Sequence, residues 1–231
     1  MTRYNAPRAA AKTLRALACL LDYPDAALRG DLADVRAALH EARALSAPRL
    51  AELDALIRSI GRPQTLDVES DYVELFDRGC STSLYLFEHV HGDSRDRGPA
   101  MIDLAQTYEK AGLYLGPDQL PDFLPVVLEY ASTQPPREAR AFLGEMAHIF
   151  NALFSALQQR GSAYAAIPGA LLELAGEKAQ AVTIAAEEPI DALWAEPVVF
   201  DGCSSKGQAR PEQPQPIRIV RKDGPVEGVR A

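Results

Sequence analysis

Along most of the chain, apolar residues recur at intervals of three and four, the spacing of a helix with one buried face. Leu14, Leu17, Leu20 and Leu21 share such a face, and Pro24 closes it. Residues 25–46 repeat the pattern through Leu28, Leu32, Val35 and Leu39. Pro48 suits the first turn of a third helix, which carries Leu50, Leu53, Leu56, Ile57 and Ile60 inward and stops at Gly61. Val68, Tyr72, Leu75 and Phe76 form a fourth stripe. A short apolar run at 84–91 follows. The next stripe is Met101, Leu104, Ala105, Tyr108, Ala111 and Leu115, with Asp93 or Ser94 as its cap and Asp96 in its first turn. After the loop "LGPDQLPDF", a helix capped at Asp122 carries Leu124, Val127, Leu128 and Ala131. One long helix is predicted over 137–160 and a last one over about 164–183. No alternation of period two lasts four residues, and "EPVVF" and "IRIV" are too short and isolated to build a sheet. The expected fold is all-α, a single-domain bundle of eight or nine helices over residues 7–184.

Beyond that point the composition changes. Six of the seventeen prolines lie after residue 184, which predicts an extended, flexible tail over 185–231. The tail also separates charge. Residues 201–231 hold six basic and four acidic side chains, so a net charge of −8 for the whole chain leaves −10 on residues 1–200. An acidic body repels phosphate backbones, which argues against nucleic acid and favours a basic peptide as partner. Cys19, Cys80 and Cys203 are odd in number and far apart, with no CxxC pair. That fits a reducing cytoplasm rather than a disulfide framework. No apolar run reaches the ~20 residues needed to span a bilayer, so direct membrane insertion is not expected.

Candidate chemistry concentrates in "LYLFEHVHGDSRDRG", residues 84–98. Glu88, His89 and His91 suggest a metal site. On a regular helix, however, positions i and i+2 point about 200° apart, so both histidines cannot grip one ion. A helical metalloprotein using these three residues therefore stands as an alternative only. Cys80 has no base at short spacing, and no Gly-rich phosphate cradle is present, so neither catalysis nor a bound cofactor is expected. Aromatic residues, carboxylates and arginines together suggest a joint that binds another protein.

"YVELFDRGCSTSLYLFEHVHGDSRDRGPAMIDL", residues 72–104, closely resembles the signature of the NarJ family, assembly chaperones of membrane-bound respiratory nitrate reductase. "LLDYPDAAL" at 20–28, "AGLYL" at 111–115, "LPDFLPVVLEYAS" at 120–132 and "WAEPVVF" at 194–200 extend the resemblance in the same order. Cys80 stands where the family pattern has arginine, and Phe123 where many relatives have histidine. The resemblance implies a non-catalytic chaperone that binds the nitrate reductase catalytic (alpha) subunit, in part through a basic amphipathic N-terminal peptide. It would hold that subunit for molybdenum-cofactor insertion and time its membrane docking. A direct carrier of the cofactor or of a nucleotide is the other alternative. On this reading Tyr72, Leu75, Phe76, Leu84 and Phe87 supply apolar pockets of a peptide groove, and Glu74, Asp77, Glu88 and Asp122 its negative charge. Arg78, Arg95 and Arg97 pin loops through carboxylates, with His89 and His91 as pH-sensitive partners.

Overall fold

The first helix, α1 (Ala6–Leu21), buries Leu14, Leu17, Leu20 and Leu21 and packs against α2 (Ala26–Ala42) and α7 (Leu124–Thr133). The computed structural model describes residues 6–78, 80–91, 94–117 and 119–180; the predicted boundary near 184 and the tail at 185–231 lie outside the described residues. Asp25 begins α2 by accepting the Leu28 N–H at 2.8 Å, a cap worth ~1 kcal/mol. Leu28, Leu32, Val35 and Leu39 then face inward. In α3 (Ala47–Ile60), Pro48 occupies the first turn and Leu53, Leu56, Ile57 and Ile60 are buried. α4 (Thr65–Phe76) buries Val68, Tyr72 and Phe76. A single 3-10 turn at Cys80–Thr82 leads to α5 (Leu86–Val90) and then α6 (Arg97–Lys110).

The stretch predicted as one helix over 137–160 is two. α8 (Pro136–Glu145) and α9 (Ala147–Gln159) meet at Met146, whose φ of −92° and ψ of 3° leave the helical region. Gly144, just before the break, lowers helix propensity by ~1 kcal/mol relative to alanine. The change of direction lets Leu143 and Phe150 both reach the core. The last helix, α10 (Ala166–Ala175), stops well short of residue 183. Gly176 ends it at φ +82°, in the left-handed region where a side chain is strained, and Arg140 donates from Nε to the Ala175 carbonyl at 3.0 Å.

Among the described residues the fold is therefore all-α, with ten α-helices and no strand. Nine of them are ten residues or longer, in keeping with the expected bundle of about eight or nine, and the tenth, α5, has five. The core gathers where α10 packs on α9, α8 and α3, and Phe150, Leu153, Ile167 and Leu171 there have no measurable exposure. Each such side chain contributes ~1.5–3 kcal/mol of burial.

Candidate functional site

The segment from 82 to 124 is built on a crossing between distant parts of the chain. Tyr85, extended just before α5, pairs with Phe123 through one isolated antiparallel bridge. The Leu124 N–H donates to the Leu84 carbonyl at 2.9 Å, and the Leu86 N–H to the Asp122 carbonyl at 3.0 Å. Leu84 and Leu86 point into the core, while Tyr85 and Phe87 stay half-buried on the other side. Tyr85 stacks at a tilt on Phe123, ring centres 5.3 Å apart.

Asp122 has no solvent exposure at all. Its Oδ2 accepts the Phe87 N–H at 3.2 Å, so main chain and side chain of one residue satisfy the first two N–H groups of α5. The sequence reading made Asp122 the cap of α7. Phe123 occupies that position instead, and the carboxylate turns to α5. Burial pushes the Asp122 carboxyl above its usual range, opposed by the Phe87 N–H and by the charge of Arg97. Arg97, in the first turn of α6, places Nη2 3.6 Å from Glu88 Oε1 and 4.0 Å from Asp122 Oδ2. Among the described residues, sheltered Asp122 Oδ1 has no hydrogen-bond partner.

The other predicted site residues divide into four groups. Tyr72, Phe76 and Leu84 lie in the core. The Tyr72 hydroxyl donates to the Leu21 carbonyl at 2.7 Å, and its ring meets Phe76 at 4.9 Å and Tyr164 at 6.1 Å. Leu75 is half-buried on the wall of a cleft of about 430 Å³ that also includes Arg62, Asp71 and Tyr164. Glu74 and Arg78 pair with each other at 3.0 Å on the exposed flank at the end of α4, and Asp77 and Arg95 are exposed. His89 donates from Nε2 to the Ser83 carbonyl at 2.8 Å, while the His91 ring stands edge-on to Phe87 at 5.3 Å. Among the described residues, no three His, Cys, Asp or Glu side chains gather to hold a metal ion. The predicted cap of α6 also differs: the helix starts at Arg97, and Ser94 hydrogen-bonds Asp96 in the turn before it.

Sequence reasoning missed several exposed apolar residues in the stretch of sequence between the two sides of this crossing. Val90, Ile102, Tyr114 and Leu120 are each 46–80% exposed. In α6 only Tyr108 is buried, its hydroxyl donating to the Pro121 carbonyl at 2.8 Å. Tyr108, Tyr114 and Tyr130 line a second cleft of about 420 Å³, with Arg15, Leu115 and Glu129. Ile102 off the main stripe and Tyr114 between two leucines beside Gly116 were the available signals.

Glu129 also acts on α1. Burial first, then the charges of Glu129 and Asp25, push the Asp22 carboxyl up to about 6. A carboxyl whose folded pKa lies above its unfolded value, ~3.9, contributes stability that is present below about pH 4 and lost as pH rises to about 6. Asp22 keeps substantial solvent contact, so the neutral-pH cost is discounted to the order of 1 kcal/mol. Asp22→Asn is expected to raise the thermal midpoint at pH 7 and leave it nearly unchanged at pH 4. Thermal denaturation at both values checks this, and an equal shift at both pH values would contradict it.

The described residues form an all-α bundle joined by one short crossing at Tyr85 and Phe123. The model of the family described as nitrate reductase delta subunit matches residues 30–167. NarJ of Escherichia coli strain K12, a nitrate reductase molybdenum cofactor assembly chaperone, is 41% identical over 187 residues, covering 77% of this chain and 79% of the relative. NarW of the same strain, a probable chaperone of that kind, is 37% identical over 193 residues, covering 79% and 80%. The probable NarJ of Bacillus subtilis strain 168 is 33% identical over 163 residues, covering 69% and 86%. The chain belongs to the NarJ family of nitrate reductase molybdenum-cofactor assembly chaperones.

Proposed function

We propose that this protein is a non-catalytic cytoplasmic chaperone of nitrate reductase assembly. It binds the reductase's catalytic subunit, in part through that subunit's N-terminal peptide, keeps it competent for molybdenum-cofactor insertion and times its membrane docking. The observation that carries the peptide part is the location of the exposed apolar side chains. Among the described residues, four of the six large ones, Val90, Ile102, Tyr114 and Leu120, fall between residues 90 and 120, in the stretch of sequence that half-buried Phe87 and Phe123 bracket. The whole chain carries −8. An amphipathic basic helix uses such a surface through apolar anchors and charge steering. No described helix is long and apolar enough to cross a membrane, which fits a protein that acts before docking rather than within the bilayer.

Calorimetric titration with a synthetic peptide copying the N-terminus of the catalytic subunit tests the reading. Anchors worth ~1.5–3 kcal/mol each, less several kcal/mol for ordering the peptide, give a Kd of about micromolar or tighter. Binding should weaken as salt rises. Phe87→Ala should reduce affinity about tenfold with helicity retained, and Glu74→Gln much less. Unchanged affinity in folded Phe87→Ala, with no salt dependence in the parent, would move the binding surface elsewhere.

A further inference from the structure

We infer that Glu88 and Asp122 form a subsite for one basic side chain of the client, and that Arg97 occupies it as an internal competitor. This rests on the peptide reading above and goes beyond it by naming the subsite and what regulates it.

Three observations converge on this arrangement. First, the fit of Arg97 is loose: its closest approaches are 3.6 Å to Glu88 and 4.0 Å to Asp122, longer than the ~2.7–2.9 Å of a made charge-assisted hydrogen bond. Second, the acidic site is not saturated. Asp122 is fully buried, yet among the described residues Oδ1 has no hydrogen-bond partner beyond the pull of its own backbone N–H, and a sheltered carboxylate oxygen left that way is costly. Third, the element that carries Arg97 is weakly held. Tyr108 is the one buried side chain of α6, while Met101 and Leu104 are half-exposed and Ile102 is 59% exposed. Arg97 and Glu88 side chains keep 30% and 37% of their surface open to solvent, so a second cation can reach Glu88 from outside, and buried Asp122 becomes open to it only as Arg97 leaves.

An incoming arginine or lysine on an apolar helix would replace Arg97 at Glu88 and Asp122. The first turn of α6 would then move aside while Tyr108 keeps the far end attached to Pro121. The apparent affinity of the protein for its client is reduced by the fraction of molecules in which Arg97 fills the subsite. A site filled by Arg97 nine-tenths of the time would weaken binding about tenfold.

The test is calorimetric titration of full-length parent, Arg97→Gln, Arg97→Lys and Glu88→Gln with the same synthetic peptide. A second peptide, with every lysine and arginine replaced by glutamine, is titrated alongside. Arg97→Gln is expected to bind the basic peptide about five- to tenfold tighter than the parent does, with no such gain for the neutral peptide. Arg97→Lys should stay near the parent. Glu88→Gln should weaken the basic peptide several-fold and leave the neutral one unchanged. If Arg97 only braces the fold, Arg97→Gln will bind equally or more weakly, and the inference is overturned. Should Arg97→Gln not fold, the Glu88→Gln result decides alone: equal loss for both peptides, or no loss, overturns it. Parent binding without the gain defeats only the Arg97 reading, whereas no binding by parent and variants alike defeats the peptide reading as well.

Discussion

Phe76→Ala is expected to destabilise the protein by ~3–5 kcal/mol, a large share of the ~5–15 kcal/mol that holds a typical domain folded. The side chain is 6% exposed, and its ring meets Tyr72 at 4.9 Å and Tyr164 at 5.0 Å. Removing it leaves a cavity at the centre of this aromatic group, and α4, α1 and the turn at 163–165 cannot all close over it. Urea denaturation followed by circular dichroism checks the value. Phe87→Ala, only eleven residues on, should shift the midpoint far less, because Phe87 is half-buried. A small loss for Phe76→Ala would mean that this aromatic group is loosely packed and that Phe76 is free to serve a ligand.

The second large effect is in the cell. A strain lacking this protein should still make its nitrate reductase polypeptides, while nitrate reduction falls to a small fraction of the parent's. The kinship with named nitrate reductase assembly chaperones motivates this expectation. Immunoblots for the subunits alongside an activity assay on membranes separate assembly from synthesis. Complementation with the parent chain should restore activity. Full activity without the protein would remove the proposed role, and absent polypeptides would place the defect upstream of assembly.

The bundle was legible because its signal is local. Leu53, Leu56, Ile57 and Ile60 repeat at helical spacing, and the helix forms where they recur. Gly61 marks its end from the sequence alone. The break at Met146 was not legible, since no proline marks it and both halves carry good stripes. Gly176 was a readable stop whose strength depends on Arg140, a residue of another helix. In the candidate site, the right residue types were visible but not their directions. Tyr72 and Phe76 share a helical face with Val68, and which face turns inward is decided by α1 and Tyr164, far away in sequence. Residues 84–87 alternate inside and outside over too few positions to read as a strand, and their partner lies at 122–124. Asp122 was visible as a carboxylate beside a helix start. That it serves the other helix is a tertiary fact.

That remote service has a consequence for the order in which the protein is made. A five-residue helix cannot persist alone, because nucleation costs more than so few bonds return. The bond from Phe87 to Asp122 spans 35 residues, so α5 is shaped only after residues 122–124 have left the ribosome and begun to dock. Helices α1 and α2 pack on each other ahead of this crossing, while α1 still awaits α7 and the α4 aromatics await Tyr164. A ribosome-bound chain arrested with residue 115 just outside the tunnel would therefore carry an early helical layer and an unformed joint. The joint itself would form late in translation, when the 121–124 segment closes over α5.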